Sequence, residues 1–217
     1  MMGMYTFFGV FIIVFLLNLQ VDAQPKEPVQ VSVYYEALCP DSIDFIVEQL
    51  WPAYKKVRSI FLVDLVPYGK AWEKRLNNGT WVFQCQHGVK ECYGNLVQTC
   101  AIRLLNNTDL SLPFVHCAMS SSRPQSAGPL CARKLNIDYG PVEKCVTSDQ
   151  GNRWQHEMGR KTEGQKPRIT FIPRIVINGE YSRQNQDKAL RNFLGLVCEN
   201  YKGPKPTECP AIKDDSL

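Results

Sequence analysis

The stretch Val29-Gln30-Val31-Ser32-Val33-Tyr34-Tyr35-Glu36-Ala37-Leu38-Cys39-Pro40-Asp41-Ser42 decides the fold. Its first ten residues are rich in β-branched and aromatic side chains, apolar on both faces, which is the pattern of a central strand. Proline suits the first helical position and an acidic residue the first turn, so a helix is expected to start at Cys39-Pro40-Asp41-Ser42. Ile43, Ile46, Val47, Leu50 and Tyr54 continue at helical spacing, with Pro52 expected to kink the helix rather than end it. A second apolar run, Ile60 to Val66, reads as another buried strand. Strand, helix, strand makes a βαβ unit of the α/β class, with parallel strands and covered faces.

Downstream, Ile169 to Ile177 is strand-like, Asn178-Gly179 followed by Glu180-Tyr181 is a hairpin signal, and Ala189, Leu190, Phe193, Leu194 and Val197 mark a final amphipathic helix. The middle, about residues 85–165, holds most of the cysteines. Cys92, Leu96, Cys100 and Leu104, at steps of four, predict a helix there. A structureless segment of that length is implausible inside a compact domain, so it reads as a mainly helical, disulfide-stapled insertion. The turn-rich tail from Gly203 to Leu217 is expected to fray.

With 217 residues, 44% hydrophobic, the chain suits one core carrying an insertion. A net charge of +4 without long basic runs excludes a nucleic-acid partner, and 21% charged residues is not the composition of a disordered chain. Thr6 to Leu17 is the length of a signal-peptide core and too short to span a bilayer, and Val21-Asp22-Ala23 is a small-residue cleavage pattern. Residues 1–23 are therefore expected to be a signal peptide, leaving 24–217 as a single secreted domain with no membrane association after cleavage. Asn78-Gly79-Thr80 and Asn106-Asn107-Thr108 are glycosylation sequons, so Asn78 and Asn106 are candidate glycan sites on exposed turns.

Nine cysteines in an oxidising compartment leave one over. Cys39, between a strand end and a helix start, has the context most favourable to a thiolate, because free backbone N–H groups and the helix dipole point at that position. Asp41 opposes this with its negative charge. Cys85, Cys92, Cys100, Cys117, Cys131, Cys145, Cys198 and Cys209 are then expected to form four bridges, out of 105 connectivities. In a Cys-x-x-Cys redox site the second sulfur resolves the mixed disulfide made by the first. Here that position is Ser42, which can hydrogen-bond a thiolate and cannot resolve the intermediate.

The βαβ outline, with Cys39-Pro40-Asp41-Ser42 at the strand-to-helix turn and Ile172-Pro173 before a late strand, resembles the thioredoxin fold. That resemblance implies a cis Pro173 facing the active-site turn. More specifically, Cys85-Gln86-His87-Gly88-Val89-Lys90-Glu91-Cys92-Tyr93-Gly94-Asn95-Leu96-Val97-Gln98-Thr99-Cys100 fits every fixed position of C-Q-H-G-x-x-E-C-x-x-N-x-x-x-x-C. This is the signature of the gamma-interferon-inducible lysosomal thiol reductase family, which the chain resembles over nearly its whole length after residue 23. The resemblance implies a secreted or lysosomal, glycosylated thiol reductase that cleaves disulfides of protein substrates at acidic pH. Of the family's Cys-x-x-Cys pair only Cys39 carries over.

Two functions follow from that departure. In the first, Cys39 forms mixed disulfides with protein substrates and an external thiol such as glutathione or cysteine resolves them; no other cofactor is expected. In the second, the scaffold is a catalytically inactive secreted binding protein that captures or masks partner proteins. Zinc on Cys85, Cys92, Cys100 and His87 is disfavoured, since tight Cys-x-x-Cys ligand pairs are missing and oxidation favours disulfides, so no metal is expected. His87 and Glu91 read as local hydrogen-bond partners. A cysteine-protease triad of Cys39, His156 and Asn178 lacks the local nucleophile signature. Oligomeric state is left open.

Overall fold

A computed structural model describes residues 26–210; the expected signal peptide, 1–23, lies outside them, as do the last seven residues of the tail. Strand β1 (Val29–Tyr35) is central, hydrogen-bonded in parallel to β2 (Phe61–Pro67) and antiparallel to β5 (Arg174–Ile177). Its register runs from Val29 opposite Phe61 to Tyr35 opposite Pro67, and from Val31 opposite Ile177 to Tyr34 opposite Arg174. Val29, Val31, Val33, Tyr34 and Tyr35 are all buried, as a strand covered on both faces requires.

Between β1 and β2 the chain is helical in three pieces: α1 (Pro40–Asp44), a π-helical turn over Phe45–Leu50, and α2 (Trp51–Val57). Pro52 has no N–H for the carbonyl four residues back, and its ring would clash there. The wider π turn accommodates it: the Trp51 N–H bonds to the Ile46 carbonyl, five residues back. Phe45 and Phe61 meet Phe193 edge-on, with ring centroids 5.4 and 5.7 Å apart, in the core between the sheet and the last helix, α8 (Arg183–Asn200). The expected βαβ unit is present in these elements, joined by one antiparallel strand.

The middle of the chain is helical: α3 (Val89–Leu105), α4 (Thr108–Met119), α5 (Gly128–Lys134), α6 (Gly140–Val146) and α7 (Asp149–Glu163). It has its own apolar cluster around Val97, Phe114, Ala132 and Val142, crossed by the Cys100–Cys145 and Cys117–Cys131 disulfides. The helix expected over Cys92 to Leu104 forms, and of the stripe at steps of four Cys100 is fully buried in the insertion's apolar cluster. Leu104 is exposed, while Glu91, Asn95, Gln98 and Thr99 are buried. These buried polar side chains need partners, and Asn95, Gln98 and Thr99 find them in the Ala37 N–H, the Tyr35 hydroxyl and Gln155.

Three other expectations are corrected. Asn178 and Gly179 do form a turn with positive φ, but only an isolated bridge joins Ile177 to Glu180 before Ser182 caps α8. The hairpin that exists is β3 (Trp72–Arg75) with β4 (Trp81–Gln84), turning at the overlooked Asn78-Gly79. Of the run from Ile169, only Arg174–Ile177 is strand. Finally, the tail is stapled as far as it is described, by Cys198–Cys209. Among the described residues no helix is long and apolar enough to cross a membrane.

The two bridges Cys100–Cys145 and Cys198–Cys209 close loops of very different length, with separations of 45 and 11 residues. Chain-entropy arguments assign about 4 kcal/mol to the longer and about 3 kcal/mol to the shorter. Replacing each pair with alanine should therefore lower the denaturation midpoint more for Cys100/Cys145, as read by urea titration with circular dichroism.

Candidate active site

Cys39 is the free cysteine of the nine; the other eight form the bridges Cys85–Cys92, Cys100–Cys145, Cys117–Cys131 and Cys198–Cys209. The cysteines of the disfavoured zinc set are thus spent in disulfides. Cys39 caps the N-terminus of α1 in an extended conformation, its carbonyl accepting from the Ile43 N–H at 3.0 Å. It is only 7% exposed and belongs to an apolar cluster with Tyr34, Val66, Tyr68, Met158 and Ile172. Ile172 precedes Pro173 through a cis peptide bond, so the proline stands at the edge of the cluster that holds the thiol. Ser42 is fully buried one turn on, and its hydroxyl accepts from the Glu36 N–H at 3.5 Å.

The loop Glu36-Ala37-Leu38 that delivers Cys39 is held from outside by α3. Asn95 Oδ1 accepts the Ala37 N–H at 2.8 Å, and Gln98 Oε1 accepts the Tyr35 hydroxyl at 2.6 Å. Thr99 donates to Gln155 Oε1 at 2.7 Å, and Gln155 in turn donates to the Pro67 carbonyl at the end of β2. Glu91 accepts twice from His87, through the backbone N–H at 3.0 Å and from Nδ1 at 2.5 Å. Glu36 points at the same imidazole, 3.5 Å from Nδ1, and accepts the Lys70 N–H at 2.7 Å. His87 and Glu91 do hydrogen-bond locally; in addition the same Cys85-to-Cys100 motif grips the loop through Asn95. The roles of Glu36, Asn95 and Gln98 were missed. Their signal is the spacing of Glu91, Asn95, Gln98 and Thr99, a polar stripe at helical period inside a cysteine-rich segment.

Burial pushes the Glu36 carboxyl up to about 7; the Lys70 N–H bond opposes this, the charge on Glu91 adds to it, and the charges of His87 and Lys70 oppose it. Beside α1 lies a groove of about 330 Å³, with Phe45, Phe171, Ile172 and Pro173 as apolar walls and Asp41, Asp44 and Glu48 along one rim.

The remaining candidates fall elsewhere. His156 hydrogen-bonds Glu73 at 2.5 Å and stacks on Trp81, while Asn178 Oδ1 accepts the Gln30 N–H at the opposite end of β1 from Cys39. No protease triad is assembled. Asn78 is exposed at the tip of the β3–β4 hairpin, and Asn106 is exposed at the end of α3.

Residues 30–135 match the family described as gamma interferon inducible lysosomal thiol reductase (GILT). A gamma-interferon-inducible lysosomal thiol reductase of Carassius auratus is 41% identical over 184 residues, covering 84% of this chain and 72% of its own. The protein of that name in Mus musculus is 32% identical, covering 88% and 75%. GILT-like protein 1 of Drosophila melanogaster is also 32% identical, covering 83% and 78%. Among solved structures, the oxidoreductase NmDsbA1 from N. meningitidis aligns over 80% of this chain and 83% of its own, at 15% identity and a TM-score of 0.46.

Asn95→Ala leaves the buried Ala37 N–H without a partner, which should cost about 1–3 kcal/mol. An acid raised in the folded state stabilises the fold below its unfolded value and loses that contribution as pH rises through the folded one. Relative to Glu36→Gln, the wild type should therefore lose roughly 1–3 kcal/mol between about pH 4.5 and about pH 7 in metal-free buffer. Parallel stability curves for the two proteins would remove that role from Glu36.

Proposed function

This chain belongs to the gamma-interferon-inducible lysosomal thiol reductase family, and on that premise we propose that it is a secreted or lysosomal thiol-disulfide oxidoreductase working through Cys39 alone. The observation that carries this reading is a single free thiol at a helix start, in one apolar cluster with the residue before a cis proline, and with serine one turn on. In the first step the Cys39 thiolate attacks a disulfide of a protein substrate; a Cys39–substrate disulfide forms and the other substrate sulfur leaves as thiolate. A small external thiol, of the glutathione or cysteine class, then attacks Cys39 sulfur and releases the second substrate thiol. Another displaces the first from Cys39. The substrate disulfide is reduced to two thiols, and two external thiols are oxidised to one disulfide.

Ser42 supports the absence of an internal resolving step, because its hydroxyl cannot form a disulfide and is tied to the Glu36 N–H. The slow step then scales with external thiol. The acidic rim of Asp41, Asp44 and Glu48 and the apolar floor at Pro173 suit a polypeptide segment. Asn78 and Asn106 are the proposed glycan sites, exposed and away from Cys39 in the chain.

A second reading, a catalytically inactive protein that captures or masks partner proteins, draws on the same serine and on the burial of Cys39. Reduction of insulin by glutathione, followed near pH 5 and near pH 7, separates the two. The oxidoreductase reading predicts a rate rising with glutathione concentration, loss to background in Cys39→Ala, and a gain of about tenfold or more at low glutathione in Ser42→Cys. A wild-type rate equal to that of Cys39→Ala would leave the capture reading.

A further inference from the structure

We propose that Glu36, His87 and Glu91 form a binding site for one divalent cation, zinc in the first instance, behind the loop that carries Cys39. The three come from separate segments: the loop after β1, the turn before α3 and the first turn of α3. Both glutamate side chains are 0% exposed and face one imidazole that is 40% exposed. Their ligand atoms all lie within 4.8 Å of one another.

More than proximity points to a cation. Each carboxylate has one oxygen anchored by a backbone donor, Glu36 Oε1 by Lys70 N–H at 2.7 Å and Glu91 Oε1 by His87 N–H at 3.0 Å. That leaves Oε2 of each aimed at His87 Nδ1, 2.5 Å away for Glu91 and 3.5 Å for Glu36. Such outer hydrogen bonds orient ligating carboxylates in metal centres. Glu36 Oε2 sits on a fully buried side chain and points into the cluster, with His87 Nδ1 as its facing group. The backbone is shaped for this carboxylate: Gly69 has φ +60°, and a Cβ there would lie 2.3 Å from Glu36 Cγ.

The charge balance points the same way. When both carboxylates are ionised, the two share one imidazole, which leaves a net charge of −1 even if the ring is protonated. The Lys70 ammonium faces the Gln86 side chain, whose amide, in the orientation that satisfies both neighbours, donates to Glu36 Oε1 and accepts from Lys70. A divalent cation on two carboxylates and a neutral imidazole brings the cluster to neutrality. Three protein ligands with one solvent-facing side is a usual coordination of zinc, and carboxylate with imidazole suits zinc and manganese. The exposed edge of His87 is the way in. The bound ion would tie the Cys39 loop to α3 without touching the thiol chemistry, so the site stands or falls independently of the redox reading.

The test is zinc binding by isothermal titration to the full disulfide-bonded protein after alkylation of Cys39, with cobalt as a spectroscopic probe. One equivalent should bind both the alkylated wild type and Cys39→Ala, and affinity should fall at least about tenfold in Glu91→Gln and in His87→Gln. Cobalt should give ligand-field absorption without a sulfur charge-transfer band, a readout of the wild type that does not depend on how the variants fold. Saturable binding that is absent, that persists in both variants, or that needs the Cys39 thiol would overturn the site.

Discussion

The architecture around Cys39 depends on one constraint: the backbone groups at the C-terminal ends of β1 and β2 leave the sheet and still need partners. Buried N–H and C=O groups left unpaired cost on the order of 1–3 kcal/mol each, so something must meet them. Helix α3 does so with a buried polar stripe. Asn95 takes the Ala37 N–H, Gln98 the Tyr35 hydroxyl, and Thr99 works through Gln155 on the Pro67 carbonyl. The helical insertion is thereby part of the site. It fixes where the strand stops and hence where the thiol begins.

Disulfides make that arrangement durable. Cys85–Cys92 ties the end of β4 to the start of α3, next to Asn95, and Cys100–Cys145 ties the far half of α3 to α6. The stripe and the bridges lie on the same helix, so the element that organises the loop is itself held at both ends. Cys39 stays outside this network, packed against apolar side chains and the residue before the cis proline. Cys39 is thereby the thiol with no disulfide partner inside the chain.

Much of this is legible in the sequence, and the reasons differ by element. The central strand and the helix start are read from Val29 to Ser42 because burial on both faces and a proline at the first helical position are local signals. The free cysteine follows from an odd count, and the four bridges from the eight that remain, though not their pairing, which geometry alone selects. Two similar dipeptides mislead. Asn78-Gly79 closes a hairpin and Asn178-Gly179 a turn into a helix, because the residues after Gly179 meet Ser182 as a helix cap before they find a strand partner. The polar stripe of α3 is missed for a deeper reason: only the fold brings the Ala37 N–H, the Tyr35 hydroxyl and Gln155 against Asn95, Gln98 and Thr99. Glu36 is invisible at sequence level because its importance lies in what faces it from fifty residues away.

The central claim is that Cys39 alone carries covalent exchange in a chain with no internal resolving thiol. Incubation with a peptide disulfide, quenching in acid and mapping of adducts by mass spectrometry tests it most directly. A single mixed disulfide at Cys39 that accumulates without glutathione, and clears when glutathione is added, is the predicted result. No adduct at Cys39, or an adduct on one of the eight bridged cysteines, would contradict it.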